Sequence, residues 1–457
     1  MKSEKTPEYR CPRLCYHDKA GCCQCDFHDP EREGDWGCEG AIQLPSVKEL
    51  LSEKERESQE KRVKELRETC KDKAVLALGA GVSMAMGVPG WVGLLSRMAG
   101  YAFRYERYIE GADDPKQPRW AELENALISG KLQVLGRANV LEAAQYVSNI
   151  LKKRGPVTKD KEDELLKGII LEIISKGTSP GDFRTNKDPE RKCPPQLRTE
   201  AVRWQGTEDP AAPEVWKTEI KQLAQRNSLV AVAYLLQAKR GFRRALTYNY
   251  DSLVQEYLVD LFGIPEERIV THVDGWTRKL NEGKDLIELI HVHGYLGRPN
   301  KRKESTAFSR ESQRVILSED SYYSMERDSV YGWTSSVQSY FFHRDTCVFV
   351  GFSAEDYNFR RILRQMGKNA PGSVKKRPRH YLILTIDDLA KEAYAGVCRY
   401  RLKGKLTPEE LREDAELLLS KELVMKAAYW EEYGFYPIWA TKDDVAAILM
   451  SLLDEDD

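Results

Sequence analysis

The sequence predicts an α/β fold, a parallel sheet flanked by helices and interrupted by a long helical insertion. Three observations carry this. Residues 74–78 (AVLAL) are a short apolar run closed by Gly79, the pattern of a strand buried on both faces. Residues 246–251, 290–294 and 348–353 repeat the arrangement, each an apolar run followed at once by small or polar residues. Stretches of helical period lie between them. Open parallel sheets bind ligands beyond the C-terminal ends of their strands, so these four endings mark a candidate site.

Taken in order, residues 1–45 show little regular pattern and hold six of the ten cysteines: Cys11, Cys15, Cys22, Cys23, Cys25 and Cys38. In a reducing compartment such clustering suggests metal more than disulfides, with Cys11, Cys15, Cys22 and Cys25 as candidate zinc ligands; a loosely packed cysteine-rich arm is the alternative. Residues 46–69 form a helix opened by a capping box at Ser46 and Glu49. Its middle, residues 52–62, has no apolar side chain and is expected to face water or a partner. After the 74–78 strand, GVPGW at residues 87–91 breaks any helix, and Trp91 serves either as a pocket wall or as core filling. Residues 46–99 begin the sheet domain, residues 100–240 read as the helical insertion, and residues 241–457 complete the sheet domain. Within the insertion a helix over 215–238 restarts at Asn227 and Ser228. Beyond it, strands at 244–248, 269–273, 289–293, 347–351, 381–386 and 434–439 alternate with helices at 251–261, 318–343, 356–366, 406–433 and 441–453.

Over 457 residues the net charge is −1, which implies no global attraction to nucleic acid or anionic lipid. The basic clusters at 301–303 and 375–377 read first as solvated loops and second as contacts for an acidic partner. The first ten residues lack the apolar core of a secretory signal. Residues 74–96 carry no formal charge, but five glycines and one proline argue against a membrane span. The expectation is a soluble cytoplasmic protein.

A strand feeding a glycine-rich turn and a helix start is a phosphate cradle: glycines allow close backbone approach and the helix start favours an anion. Gly79, Ala80 and Gly81 offer backbone amides there, and Ser83 a hydroxyl. Asn249 carries both a donor and an acceptor, and His293 titrates near neutrality. Each also has a plainer reading: Asn249 and Asp251 as a helix cap, and His293 as a packed histidine at a strand end.

In sequence order, GAGVS, TYNYD, HG and GFS resemble the NAD-binding core of the sirtuin family, a Rossmann-like fold. The resemblance covers residues 74–95 and about 240–440. It implies NAD+ as the ligand, Asn249 and His293 as the catalytic pair, and Thr247 and Asp251 as completing the TxNxD pattern. Gly351 and Ser353 would close over ribose and phosphates, and Trp91 would lie near nicotinamide. Protein deacylases of that family carry two CxxC pairs after the HG, whereas here only Cys347 and Cys398 follow Gly294. The chain thus resembles the divergent bacterial sirtuin-like proteins of anti-phage defence. That implies an NAD+ glycohydrolase producing nicotinamide and ADP-ribose in abortive infection, acting as a homo-oligomer or beside a partner such as an ATPase. An NAD- or ADP-ribose-binding sensor without turnover and an NAD-dependent deacylase or ADP-ribosyltransferase are the alternatives.

Overall fold

The computed structural model describes residues 47–70, 74–91, 93–95, 97–98, 144–149, 151, 162–178, 212–238, 242–273, 276–278, 286–296, 315–317, 332–354, 356–368, 378–400 and 408–453. The apolar runs become one sheet: β1 (Ala74–Leu78), β2 (Arg244–Thr247), β3 (Ile269–Val273), β4 (Trp276–Arg278), β5 (Ile287–His291), β6 (Thr346–Val350), β7 (His380–Thr385) and β8 (Phe435–Ala440). Its order is β4-β3-β5-β2-β1-β6-β7-β8. Seven strands run parallel, and β4 pairs antiparallel at one edge. The parallel, Rossmann-like α/β reading therefore holds. The sequence reading missed β4, because three residues are too few to show a strand period.

Side chains alternate across the sheet as strand geometry requires. Leu76, Leu78, Val348 and Val350 enter the core on one face; Val75, Ala77, Cys347 and Phe349 enter the core on the other. From β1 the chain builds outward through β2 on one side and later through β6 on the other. Such a reversal places a crevice at the C-terminal ends of the strands. The register aligns those ends, with Leu78 opposite both Thr247 and Val350, and Thr247 opposite His291.

The helix expected over 46–69 is two, α1 (Val47–Leu50) and α2 (Glu53–Cys70). The break falls at Ser52, whose amide and hydroxyl both donate to Glu55 Oε2 at 2.7 Å and start a fresh helix. Most of the polar middle of α2 is exposed, as expected, and its remaining face lies along the β8 edge. Gln59 donates to the Trp439 carbonyl at 3.1 Å and accepts from the Trp439 amide at 2.9 Å, and Arg62 donates to the Pro437 carbonyl at 2.8 Å. These side chains take the place of a ninth strand along the β8 edge, a position that otherwise invites pairing with foreign strands.

α3 (Ala80–Met84) leaves β1 and ends before the loop at Gly87, where φ is +82°. Within the stretch read as an insertion lie α4 (Glu162–Thr178), α5 (Ala212–Ala224) and α6 (Ser228–Gln237). Asn227 caps α6 by accepting from Leu229 N and Val230 N at 3.0 and 3.1 Å. Residues 229–236 of α6 are all buried and share the core of β1 and β6, so this helix belongs to a flanking layer of the sheet. α7 (Leu253–Asp260) follows β2 and is closed near Gly263 at φ +63°. α8 (Trp333–Arg344) precedes β6, and α9 (Tyr357–Lys368) follows it. α10 (Asp387–Tyr400) was not anticipated; α11 (Pro408–Glu431) and α12 (Asp444–Met450) match the expected late helices. No helix among the described residues is long and apolar enough to cross a membrane.

Candidate active site

The β1, β2, β5 and β6 endings are neighbours in the sheet, so the four sequence motifs meet along one rim. On the β1–β6 side the contact is made by backbone. Gly79 N donates to Val350 O at 2.9 Å, and Gly81 N donates to Gly351 O at 2.8 Å. A Cβ on Gly81 would lie 2.7 Å from Gly351 Cα, and one on Gly351, at φ +61°, would lie 2.9 Å from Gly81 Cα. Only glycine fits either position. The amides of Gly79 and Gly81, expected to face an anion, are engaged with β6 and its turn, and these glycines act here through close backbone approach. Ala80, Gly81 and Gly351 are partly accessible, and Ser353 is exposed at the rim.

Between the β1 and β2 endings the contact is made by side chains. Asn249 Nδ2 donates to Gly79 O and to Ser83 Oγ, both at 3.0 Å. Ser83 Oγ donates in turn to Asp251 Oδ2 at 2.7 Å, and Asp251 Oδ1 accepts from Leu253 N at 3.1 Å. Thr247 Oγ1 accepts from Asn249 N at 3.1 Å. Ser83, 1% exposed, therefore orients Asn249 and Asp251, where the sequence had suggested a phosphate ligand. Burial raises the Asp251 carboxyl, and its bonds to Ser83 and Leu253 N partly offset this.

His293 is buried beside the same rim. Its ring stands edge-on to Tyr248 at 5.1 Å between centroids, and its Nε2 lies 3.6 Å from Asp356 Oδ2. Burial lowers its pKa below the ordinary histidine value, opposed by the Asp356 charge and by a hydrogen bond to the Tyr248 backbone. A neutral imidazole at neutral pH is the form that accepts a proton. His291 has a different role: its Nδ1 bonds the Asn249 carbonyl at 3.2 Å, and burial lowers its pKa to about 4. Trp91 is half-buried, packs on the core and lies 6.5 Å from the Tyr250 ring, which leaves both of its readings open.

Sequence reasoning missed Asp356 and Tyr248. The first was read only as a helix start, and the second sits in TYNYD as an unremarked aromatic. Cys11, Cys15, Cys22 and Cys25 lie outside the described residues. Among the described residues no group of three or more His, Cys, Asp or Glu side chains is arranged to hold a metal ion.

Comparison with known families agrees with this geometry. Residues 243–403 match the family model of the SIR2-like domain, a span that includes Asn249, His293, Gly351 and Asp356. The chain thus carries a sirtuin-like domain, with the β1 turn supplied from outside the matched span. No curated protein matches the chain.

Proposed function

We propose that this chain is an NAD+ glycohydrolase that cleaves NAD+ to nicotinamide and ADP-ribose. The observation that carries the reading is the junction at the rim, where the Asn249 amide bonds into the Gly79 turn and the neutral base His293 follows the adjacent strand. The SIR2-like match supports NAD+ as the substrate. In this scheme the glycine turn and the β6 ending, with Ala80, Gly81, Gly351, Ser353 and Trp91, border the dinucleotide. Thr247, Ser83 and Asp251 hold Asn249, which orients a ribose hydroxyl or the attacking water. His293 takes the proton of that water.

An unregulated NADase would exhaust its own cell, so activity is gated by a cue, a homo-oligomeric state or a partner protein such as an ATPase. Anti-phage defence by abortive infection is the setting such control suits. The N-terminal cysteines form a separate structural zinc site in this proposal; elemental analysis finding one zinc per chain supports it, and none removes it.

The test is mass spectrometry of NAD+ incubated with purified wild type and His293→Ala, alone and with proteins encoded beside it. We expect equal amounts of nicotinamide and ADP-ribose, falling by on the order of 100-fold or more in the variant. NAD+ left intact in every mixture overturns the proposal. Nicotinamide released only when an acyl-lysine peptide is supplied replaces it with deacylation.

A further inference from the structure

Asp356 belongs to none of the strand-end motifs, yet its two carboxylate oxygens perform two tasks. Oδ1 accepts from the Phe359 amide at 2.7 Å and caps α9, while Oδ2 lies 3.6 Å from His293 Nε2. A cap needs only the first. Both side chains are largely buried, at 6% exposure for His293 and 13% for Asp356, so their interaction is poorly screened by solvent.

The turn that delivers Asp356 is itself unusual. Between β6 and α9 the chain passes through Gly351 at φ +61° and Ala354 at φ +58°. Among the described residues Ala354 is the one non-glycine in that region, it is fully buried, and Arg360 Nε donates to its carbonyl at 2.9 Å. A left-handed alanine costs roughly 1–2 kcal/mol and persists only where its surroundings impose it. Here it fixes the path that brings a carboxylate to a histidine.

We propose that Asp356 is the positioning residue for His293, holding the imidazole in place and stabilising the imidazolium that forms when it accepts a proton. The proposal rests on the NAD+-cleavage reading. In that reaction the water oxygen bonds to the ribose C1′ and its proton passes to His293. The C1′–N bond pair leaves with nicotinamide and neutralises its ring charge, and His293 then releases the proton to solvent.

The other groups near His293 among the described residues cannot supply this charge. Burial keeps the phenols of Tyr248 and Tyr250 neutral, and His291 is neutral above about pH 4. Asp251 is committed to Ser83 and Leu253 N, and Arg360, on α9, is bonded to Ala354.

The experiment compares full-length wild type with Asp356→Asn and Asp356→Ser, both of which keep an acceptor for the Phe359 amide and remove the charge. The His293 ring is titrated by NMR with labelled histidine and assigned with His293→Gln; NAD+ cleavage is followed against pH. We expect the His293 midpoint to fall by about one pH unit in both variants. The acidic limb of kcat/KM should move the same way, with kcat down on the order of tenfold or more and KM within about twofold. An unmoved midpoint, or lost activity with the acidic limb in place, overturns the proposal and leaves Asp356 a helix cap. If the wild type cleaves no NAD+, the functional reading fails on its own, while the NMR titration still decides whether the two groups are coupled.

Discussion

The two halves of the rim are joined by opposite means. Between β1 and β6 the seam is glycine on glycine, with Gly79, Gly81 and Gly351 in backbone contact and no side chain between them. Across the β1, β2 and β5 endings it is a side-chain network in which Asn249, Ser83, Asp251 and Thr247 bond to one another and His293 stands against Tyr248. The first seam tolerates no added atom, because the main chain cannot move aside. The second tolerates isosteres but not lost donors, because each buried polar group depends on its neighbour. One half fixes the shape of the rim, and the other places its buried polar groups.

Substitutions at each seam break that contrast most directly. Gly351→Val adds bulk at a positive φ against the Gly81 turn, and we expect it to lower folding stability by roughly 3 kcal/mol or more, read from urea unfolding. A loss below about 1 kcal/mol would show that the seam can relax.

The next effect belongs to the second seam and to pH. His291 titrates at about 4 when folded, against 6.5 as its ordinary value. The unfolded chain therefore binds more protons between these values, so stability is full above about pH 6.5 and falls as pH drops toward 4. The loss attributable to this group is roughly 3 kcal/mol at the low end, and His291→Gln should flatten that slope in unfolding measurements across the window. A smaller change is expected far from the rim. Gln59→Ala uncovers the β8 edge at the cost of about 1 kcal/mol and favours aggregation in light scattering, while NAD+ turnover stays at the wild-type rate.

The sequence foretold the two seams unequally, and the reason is physical. Glycines at a strand end announce a backbone requirement by themselves, so Gly79, Gly81 and Gly351 stand out without any partner in view. The strand endings and the Asn227 cap are also local signals, set within a few residues of chain. What a buried polar side chain bonds to is not local. Ser83 reads as a phosphate ligand because its partners lie far off at Asn249 and Asp251, and Asp356 reads only as a helix start because His293 is 63 residues away in the chain. The contact of Gln59 with the β8 edge is hidden for the same reason, its partner being a strand near the other end of the sequence. Short β4 and helix α10 escaped for want of a pattern strong enough to register.

In the proposed function the Asn249 network does chemistry at a site whose form the β1–β6 glycines impose. The most direct test is nicotinamide release from NAD+ by wild type and Asn249→Ala at equal concentrations of folded protein, each measured with whatever partner or cue activates the wild type. We expect turnover by the wild type and a loss of on the order of 100-fold in the variant, whose unfolding midpoint also falls because Gly79 O and Ser83 Oγ lose their donor. Equal rates for the two proteins would contradict it.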